Sequence, residues 1–312
     1  MKILITPRSF AKDDPRPLVY LEENGLCIVR NPGAGIMDEE TMRAQIAGCD
    51  GVVVGVDPLS ARVMEAAPGL RAVAKYGVGV DNIDLDYCAA HGIRVSRTVG
   101  ANSGAVADYT FALMLALARQ IIPIDRRCRR GDWSKITTAD LSGRTLGLVG
   151  LGAVGRQVVR RAQGFSMDVA AFDVAWDEAY AQANGVRRLG VDELCAACDF
   201  LSLHLPLRPE TKHIIDARRL GLMKPTAYLI NTARGGLVDD DALLAALRDR
   251  RIAGAGLDAF RQEPPDNKEW YELENIVIGS HCAASTAGAA RAMSRMAAEN
   301  LLRDLTAGAA VT

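Results

Sequence analysis

The 312-residue chain has no disulfide framework. Its seven cysteines are odd in number and scattered. That excludes a disulfide-stapled secreted scaffold and fits reduced thiols and a cytoplasmic setting. There is little net charge, since 37 basic residues meet 38 acidic ones and leave −1. The balance argues against a general nucleic-acid binder or a binder of anionic membrane. Long apolar runs are missing too. Stretches such as 111–118 fall well short of the ~20 residues that span a bilayer. The N-terminal run Met1 to Pro7 lacks the length of a secretory segment and reads as a first strand. Metal-ligand spacings are confined to Cys195-Ala-Ala-Cys198. A structural zinc normally takes four ligands, and no second pair exists, so these cysteines read as one packed helix face and no metal is expected.

The chain is longer than the ~250–300 residues at which single cores stop growing, which predicts two domains. In the first hundred residues, strand patterns at Lys2–Thr6, Leu26–Val29, Gly51–Val54, Ala72–Lys75 and Ile93–Val95 alternate with helical ones. The helical patterns lie near Asp38–Ala47, Ser60–Ala67 and Asp84–His91. Such alternation predicts a parallel sheet covered on both faces. A long apolar helix follows Asn102 and runs to Ala118. Its all-round apolarity predicts burial in an interdomain joint or a dimer interface. From Leu146 the alternation restarts, with strands at Val169–Phe172, Phe200–Leu203, Tyr228–Ile230, Gly254–Leu257 and Ile276–Ile278. A final helix is expected over Ala284–Leu305. If it returns to the first unit, that unit is discontinuous and the two chain crossings form a hinge.

Gly150-Leu151-Gly152-Ala153-Val154-Gly155 lies between a strand and a helix, and Asp173 closes the next strand. A strand, this hexapeptide, a helix, a second strand and then an acid about 20 residues on is a strong signature of dinucleotide binding. Gly150 permits the tight turn, Gly152 lets backbone approach a pyrophosphate, and Gly155 lets the helix lie on the sheet. The helix start at Ala153 and Val154 favours negative charge. Asp173 can accept from a ribose diol and repels a 2′-phosphate, so the cofactor expected is NAD.

Three later segments hold the groups that a hydride-transfer site needs. They are 231–236, 257–265 and 278–286, and each follows a strand, where doubly wound sheets bind ligands. Arg234 can grip a carboxylate with its planar fork. His281 can carry the proton that accompanies hydride, since imidazole titrates near ~6.5. Glu263 can orient that imidazole and stabilise its charged form. A 2-hydroxy acid and its 2-oxo partner fit such a set.

These residues, with Lys75-Tyr76-Gly77-Val78-Gly79-Val80-Asp81-Asn82-Ile83-Asp84, His204-Leu205-Pro206-Leu207 and Gly256-Leu257-Asp258, resemble the D-isomer-specific 2-hydroxyacid dehydrogenase family nearly end to end. The similarity is greatest to its phosphoglycerate dehydrogenase branch. The resemblance implies an α/β chain of two doubly wound parallel-sheet domains, with a Rossmann cofactor domain inserted in a flavodoxin-like substrate domain. The expected spans are 100–284 for the cofactor domain and 1–99 plus 285–312 for the substrate domain. Arg234, Glu263 and His281 are implied as the catalytic set. Val78 and Gly79 are implied to hold the substrate carboxylate, with Lys75 nearby. Asp258 is implied on the nicotinamide carboxamide. Thr232, Ala233, Thr211, His204 and Pro206 are implied against the cofactor. A homodimer through cofactor-domain elements, including the helix after Asn102, is implied as well.

Some positions depart from the branch. Where an Arg after the third strand often meets the substrate phosphate, this chain has Val54-Gly55-Val56. Tyr76 replaces a small residue and is expected to narrow the pocket, and Cys282 follows His281 where an apolar residue is usual. The chain stops at Thr312, so regulation through an added domain is not expected. A D-3-phosphoglycerate-type substrate is therefore weighed against a smaller acid of the hydroxypyruvate or glyoxylate kind. A cofactor-sensing corepressor on the same scaffold is the alternative of another class.

Overall fold

The protein is described from a computed structural model covering residues 1–33 and 35–307. It divides into two compact units, Met1–Asn102 with Ser285–Thr312, and Ser103–Ala284.

The first unit opens with β1 (Lys2–Ile5), α1 (Arg16–Glu23), β2 (Cys27–Arg30), α2 (Glu39–Ile46) and β3 (Gly51–Val54). It continues with α3 (Ala61–Met64), β4 (Ala72–Lys75), α4 (Leu85–Ala90) and β5 (Arg94–Arg97). The strands form one parallel sheet in the order β2-β1-β3-β4-β5. This is the flavodoxin-like order, with its reversal between β1 and β3. All four residues of β3 and all four of β4 are buried, as expected of strands covered on both faces. Caps set the helix starts: Asp38, Ser60 and Asp84 each accept an amide hydrogen bond three residues on.

The second unit starts with α5 (Ser103–Ala118) and α6 (Ile121–Cys128). Then come β6 (Thr145–Val149), α7 (Ala153–Gly164), β7 (Asp168–Phe172), α8 (Glu178–Ala183), β8 (Val186–Arg188), α9 (Val191–Ala197) and β9 (Phe200–Leu203). After these follow α10 (Ala217–Leu222), β10 (Tyr228–Asn231), α11 (Asp240–Arg248), β11 (Gly254–Leu257), α12 (Glu269–Glu272) and β12 (Ile276–Ile278). The seven parallel strands run β12-β11-β10-β9-β6-β7-β8. That is the Rossmann order, and its switch point lies between β6 and β9. The last helix, α13 (Ala287–Thr306), packs on β3, β4 and β5, so both chain ends serve the first unit.

Four details differ from the sequence reading. The last helix starts at Ala287 rather than Ala284, because Thr286 caps it by accepting the Ala289 amide. Helix α1 went unread because it is only eight residues long and starts after Pro15 with no side-chain cap to announce it. Strand β8 is three residues long, with Val186 buried beside two exposed arginines. The apolarity of α5 is met inside its own unit: Leu113 and Leu117 lie against Gly254 and Gly256 of β11, where a side chain would leave no room. In contrast, α6 buries none of its residues, and Trp133 beyond it is 80% exposed.

Candidate active site

The glycine turn after β6 is shaped by close approaches. Gly150 has φ +107°, and a Cβ there would stand 2.5 Å from the His204 carbonyl oxygen. A Cβ on Gly155 would overlap the Gly150 carbonyl oxygen, whereas at Gly152 nothing lies within 4 Å. The space in front of Gly152 is therefore open, and α7 begins behind it with no side-chain cap. The amides of Ala153 and Val154 have no acceptor among the described residues, as the first amides of a helix do until an anion meets them. Asp173 is tied to this turn, since Oδ2 accepts the Leu151 amide at 2.6 Å and Oδ1 the Ala175 amide at 2.8 Å. An open glycine, uncapped amides and an acid beyond β7 fit a dinucleotide.

On the other side of the switch point, His204 follows β9, and its Nε2 is 2.9 Å from Ser202 Oγ. Desolvation pushes this imidazole down to about 3, so it is neutral at physiological pH. Pro206 and Thr211 form one turn: Thr211 Oγ1 donates to the Pro206 carbonyl at 2.8 Å and accepts the Arg208 amide at 2.7 Å.

Asn231, at the end of β10 and 1% exposed, builds the next turn. Its Nδ2 donates to the Arg234 carbonyl at 2.8 Å, and its Oδ1 accepts the Ala233 amide at 3.1 Å. Thr232 Oγ1 is 3.2 Å from Thr110 Oγ1. Gly235 seats the Arg234 turn directly on the Phe260 backbone, where any Cβ would collide. The Phe260 amide in turn donates to Glu263 Oε1 at 3.0 Å. Glu263 Oε2 is 2.8 Å from His281 Nδ1. Arg234, Glu263 and His281 thus stand on adjoining turns of one unit. A carboxylate only accepts, so the His281 Nδ1 carries a proton and Nε2 is left for chemistry.

His281 has φ +55°, a left-handed conformation rare for a residue with a Cβ. Asp258, 1% exposed, holds the two residues that follow it. Its Oδ1 accepts the Cys282 amide at 3.0 Å and its Oδ2 the Ala283 amide at 2.7 Å. Resemblance pointed Asp258 toward the cofactor; in the structure both its oxygens bind backbone.

In the first unit, Val78 and Gly79 lie in the loop after β4, and their amides have no acceptor among the described residues. Two ties frame the loop. Thr98 Oγ1 accepts the Gly77 amide at 2.8 Å. On the other flank, Asn82 Nδ2 donates to the carbonyls of Gly55 at 3.1 Å and Asp57 at 2.5 Å. Lys75, read as a substrate contact, is only 5% exposed. Its Nζ donates to the Gly55 carbonyl and to Asn82 Oδ1, the latter at 2.7 Å. Tyr76, expected to narrow a pocket, instead turns to α13, where its hydroxyl donates to the Ala290 carbonyl at 3.1 Å. The CxxC cysteines are both buried, which pushes the thiols of Cys195 and Cys198 up to about 11 and 12.

Sequence reasoning named Asn231 and Asn82 within motifs but gave neither a role, and it missed Tyr109. A polar residue closing an apolar strand marks the first. A tyrosine inside an apolar helix marks the last.

Together the two sheets and the dinucleotide turn define a nicotinamide-dependent oxidoreductase. A family profile described as "D-isomer specific 2-hydroxyacid dehydrogenase, NAD binding domain" matches residues 111–283. A glyoxylate reductase of Korarchaeum cryptofilum is 42% identical over 83% of this chain and 80% of its own. A D-3-phosphoglycerate dehydrogenase of Methanocaldococcus jannaschii is 37% identical over 98% of this chain but 57% of its own length. The crystal structure of a D-lactate dehydrogenase from Aquifex aeolicus, complexed with NAD and lactic acid, is 30% identical with a TM-score of 0.84, covering 96% of this chain and 94% of its own. The chain belongs to the D-isomer-specific 2-hydroxyacid dehydrogenase family, is an enzyme acting on CH–OH donors, and uses NAD.

Proposed function

We propose that the protein reduces a small, unphosphorylated 2-oxo acid of the glyoxylate or hydroxypyruvate kind. The observation that carries this reading is the inward commitment of Lys75. Its ammonium is held by Gly55 and Asn82, and Gly55 itself stands where a phosphate-binding Arg would be. The glyoxylate reductases among the relatives support the same choice.

The α7 N-terminus and Gly152 would hold the pyrophosphate of NADH, and Asp173 its ribose diol; bound there, the cofactor would supply hydride for the carbonyl carbon. The amides of Val78 and Gly79 offer donors to a carboxylate. Arg234 can hold a carboxylate and the adjacent carbonyl oxygen through its fork, and its charge counts most as the oxygen becomes negative. His281 gives its Nε2 proton to that oxygen, and Glu263 stabilises the imidazolium beforehand. His204, neutral by desolvation, takes no part in proton transfer.

A D-3-phosphoglycerate-type substrate is the second reading, favoured by the 37% relative that matches 98% of the chain. Steady-state turnover with NADH against glyoxylate, hydroxypyruvate and phosphohydroxypyruvate decides between them. Preference for the phosphorylated acid would overturn the proposal. The unburied α6 and Trp133 suit the homodimer we also propose, which light scattering checks directly.

A further inference from the structure

We propose that Tyr109 and Cys282 are positioning residues for the reaction: by bracing Asp258 they fix the backbone that presents His281. The inference rests on the reading of His281 as the proton donor.

The left-handed backbone of His281 needs outside support, and Asp258 gives it through the amides of Cys282 and Ala283. A second anchor is the Gly279 amide, which donates to the Leu257 carbonyl at 2.7 Å. The whole turn therefore depends on where one buried carboxylate sits. A buried charge is costly unless surrounded by donors, so its neighbours determine its place.

Those neighbours come from two elements. The Cys282 thiol reaches both partners, with Sγ 3.4 Å from Tyr109 Oη and 3.7 Å from Asp258 Oδ1. Tyr109 arrives from the middle of α5, whose other inward residues are almost all apolar. Burial, with Cys282 and the Asp258 charge beside it, pushes the Tyr109 phenol well above its ordinary value. It keeps its proton throughout any assay range, and its oxygen accepts from the Cys282 thiol. Gly279 closes the third side. A Cβ there would overlap Asp258 Oδ1 and stand 2.6 Å from Tyr109 Oη. Carboxylate and phenol both crowd Gly279, and the Cys282 thiol bridges them, so phenol and thiol together limit the positions open to Asp258.

Packing alone would need only the ring of Tyr109. The hydroxyl and the thiol are what the proposal requires, and they can be removed separately. Tyr109→Phe and Cys282→Ala should lower kcat for glyoxylate reduction about five- to tenfold, the worth of one hydrogen bond, with KM for NADH within about twofold. Cys282→Ser, which restores a donor, should recover most of the loss. If both variants melt earlier but keep kcat, the cluster is structural and the proposal fails. If KM for NADH rises with kcat intact, the cluster serves the cofactor and the proposal fails again. His281→Ala is measured alongside. Turnover surviving there would remove the proton donor and this inference with it. Turnover lost there but intact in both Tyr109→Phe and Cys282→Ala would overturn this inference alone.

Discussion

His281 donates from Nδ1 to Glu263 Oε2 over 2.8 Å, while Glu263 Oε1 accepts the Phe260 amide at 3.0 Å. The second bond fixes the carboxylate to the same backbone on which Gly235 rests. One rigid junction thereby sets the direction of both the proposed acid and the proposed Arg234 clamp. Strand ends bring these turns together, and their local sequence keeps them in place.

If Glu263 stabilises the imidazolium, its loss has a signed consequence. Reduction needs a proton on His281 Nε2. Glu263→Gln keeps the shape of the partner but removes the negative charge 2.8 Å from Nδ1, which disfavours the charged, proton-donating ring. The kcat for reduction should fall while KM for NADH holds. His281→Ala should cost on the order of 10²–10⁴ in turnover while NADH still binds. A Glu263→Gln variant with wild-type kcat would break the pairing.

The parts legible in the sequence are those whose physics is local. The glycine turn, Asp173 and the apolar strands announce themselves because turn chemistry and side-chain period act over a few residues. Arg234, Glu263 and His281 were legible as residues following strands. What stayed hidden depends on direction and on distant partners. Lys75 reads as a cation near a substrate until Gly55 and Asn82 are seen to hold its head. The same holds for Asp258, whose oxygens face the Cys282 and Ala283 amides, and for Tyr109, which is 173 positions from Cys282. No periodicity encodes those meetings.

Arg234→Lys tests geometry at constant charge. Lys has no planar fork, so the two-pronged grip is lost. The KM for the 2-oxo acid should rise and kcat should fall together, because the contact strengthens as charge grows on oxygen. Initial-rate kinetics at saturating NADH measure both. A change confined to cofactor affinity would place Arg234 in the dinucleotide site instead.

Cofactor choice should follow Asp173. Val174 beside it is 91% exposed and offers nothing to a 2′-phosphate. The wild type should prefer NADH, and Asp173→Ser with Val174→Arg should raise kcat/KM for NADPH. The substitution also frees the Leu151 amide, so some NADH efficiency should be lost as well. A wild type that favours NADPH would contradict this account.

His204 should give the fold an acid-side weakness. Its folded value of about 3 lies below the ~6.5 of an unfolded histidine. Between those values the unfolded chain binds more protons, so stability falls as pH drops through that window. His204→Asn keeps a polar partner for Ser202 and cannot titrate. Its melting temperature should therefore vary less than wild type between about pH 6 and pH 4. Parallel melting curves across that range would rule the effect out.

Lys75 separates the two substrates most sharply. If it is a phosphate ligand, Lys75→Ala should reduce kcat/KM for phosphohydroxypyruvate about ten- to a hundredfold relative to hydroxypyruvate, the worth of a charge-assisted hydrogen bond. If it braces the Val78–Gly79 loop through Gly55 and Asn82, both acids lose efficiency together and their ratio stays put. We expect the second result, with a wild-type ratio of phosphohydroxypyruvate to hydroxypyruvate below about one, because no Arg at Gly55 adds to the phosphate's binding. The structure gives the reason for a shared loss. With Lys75 gone, Asn82 keeps its bonds to the Gly55 and Asp57 carbonyls but loses the ammonium that joins its Oδ1 to β4. The loop amides then lose one flank of their frame, and any carboxylate they hold is bound less well, with or without a phosphate. A wild-type ratio above one that collapses in Lys75→Ala would return the enzyme to the phosphoglycerate branch.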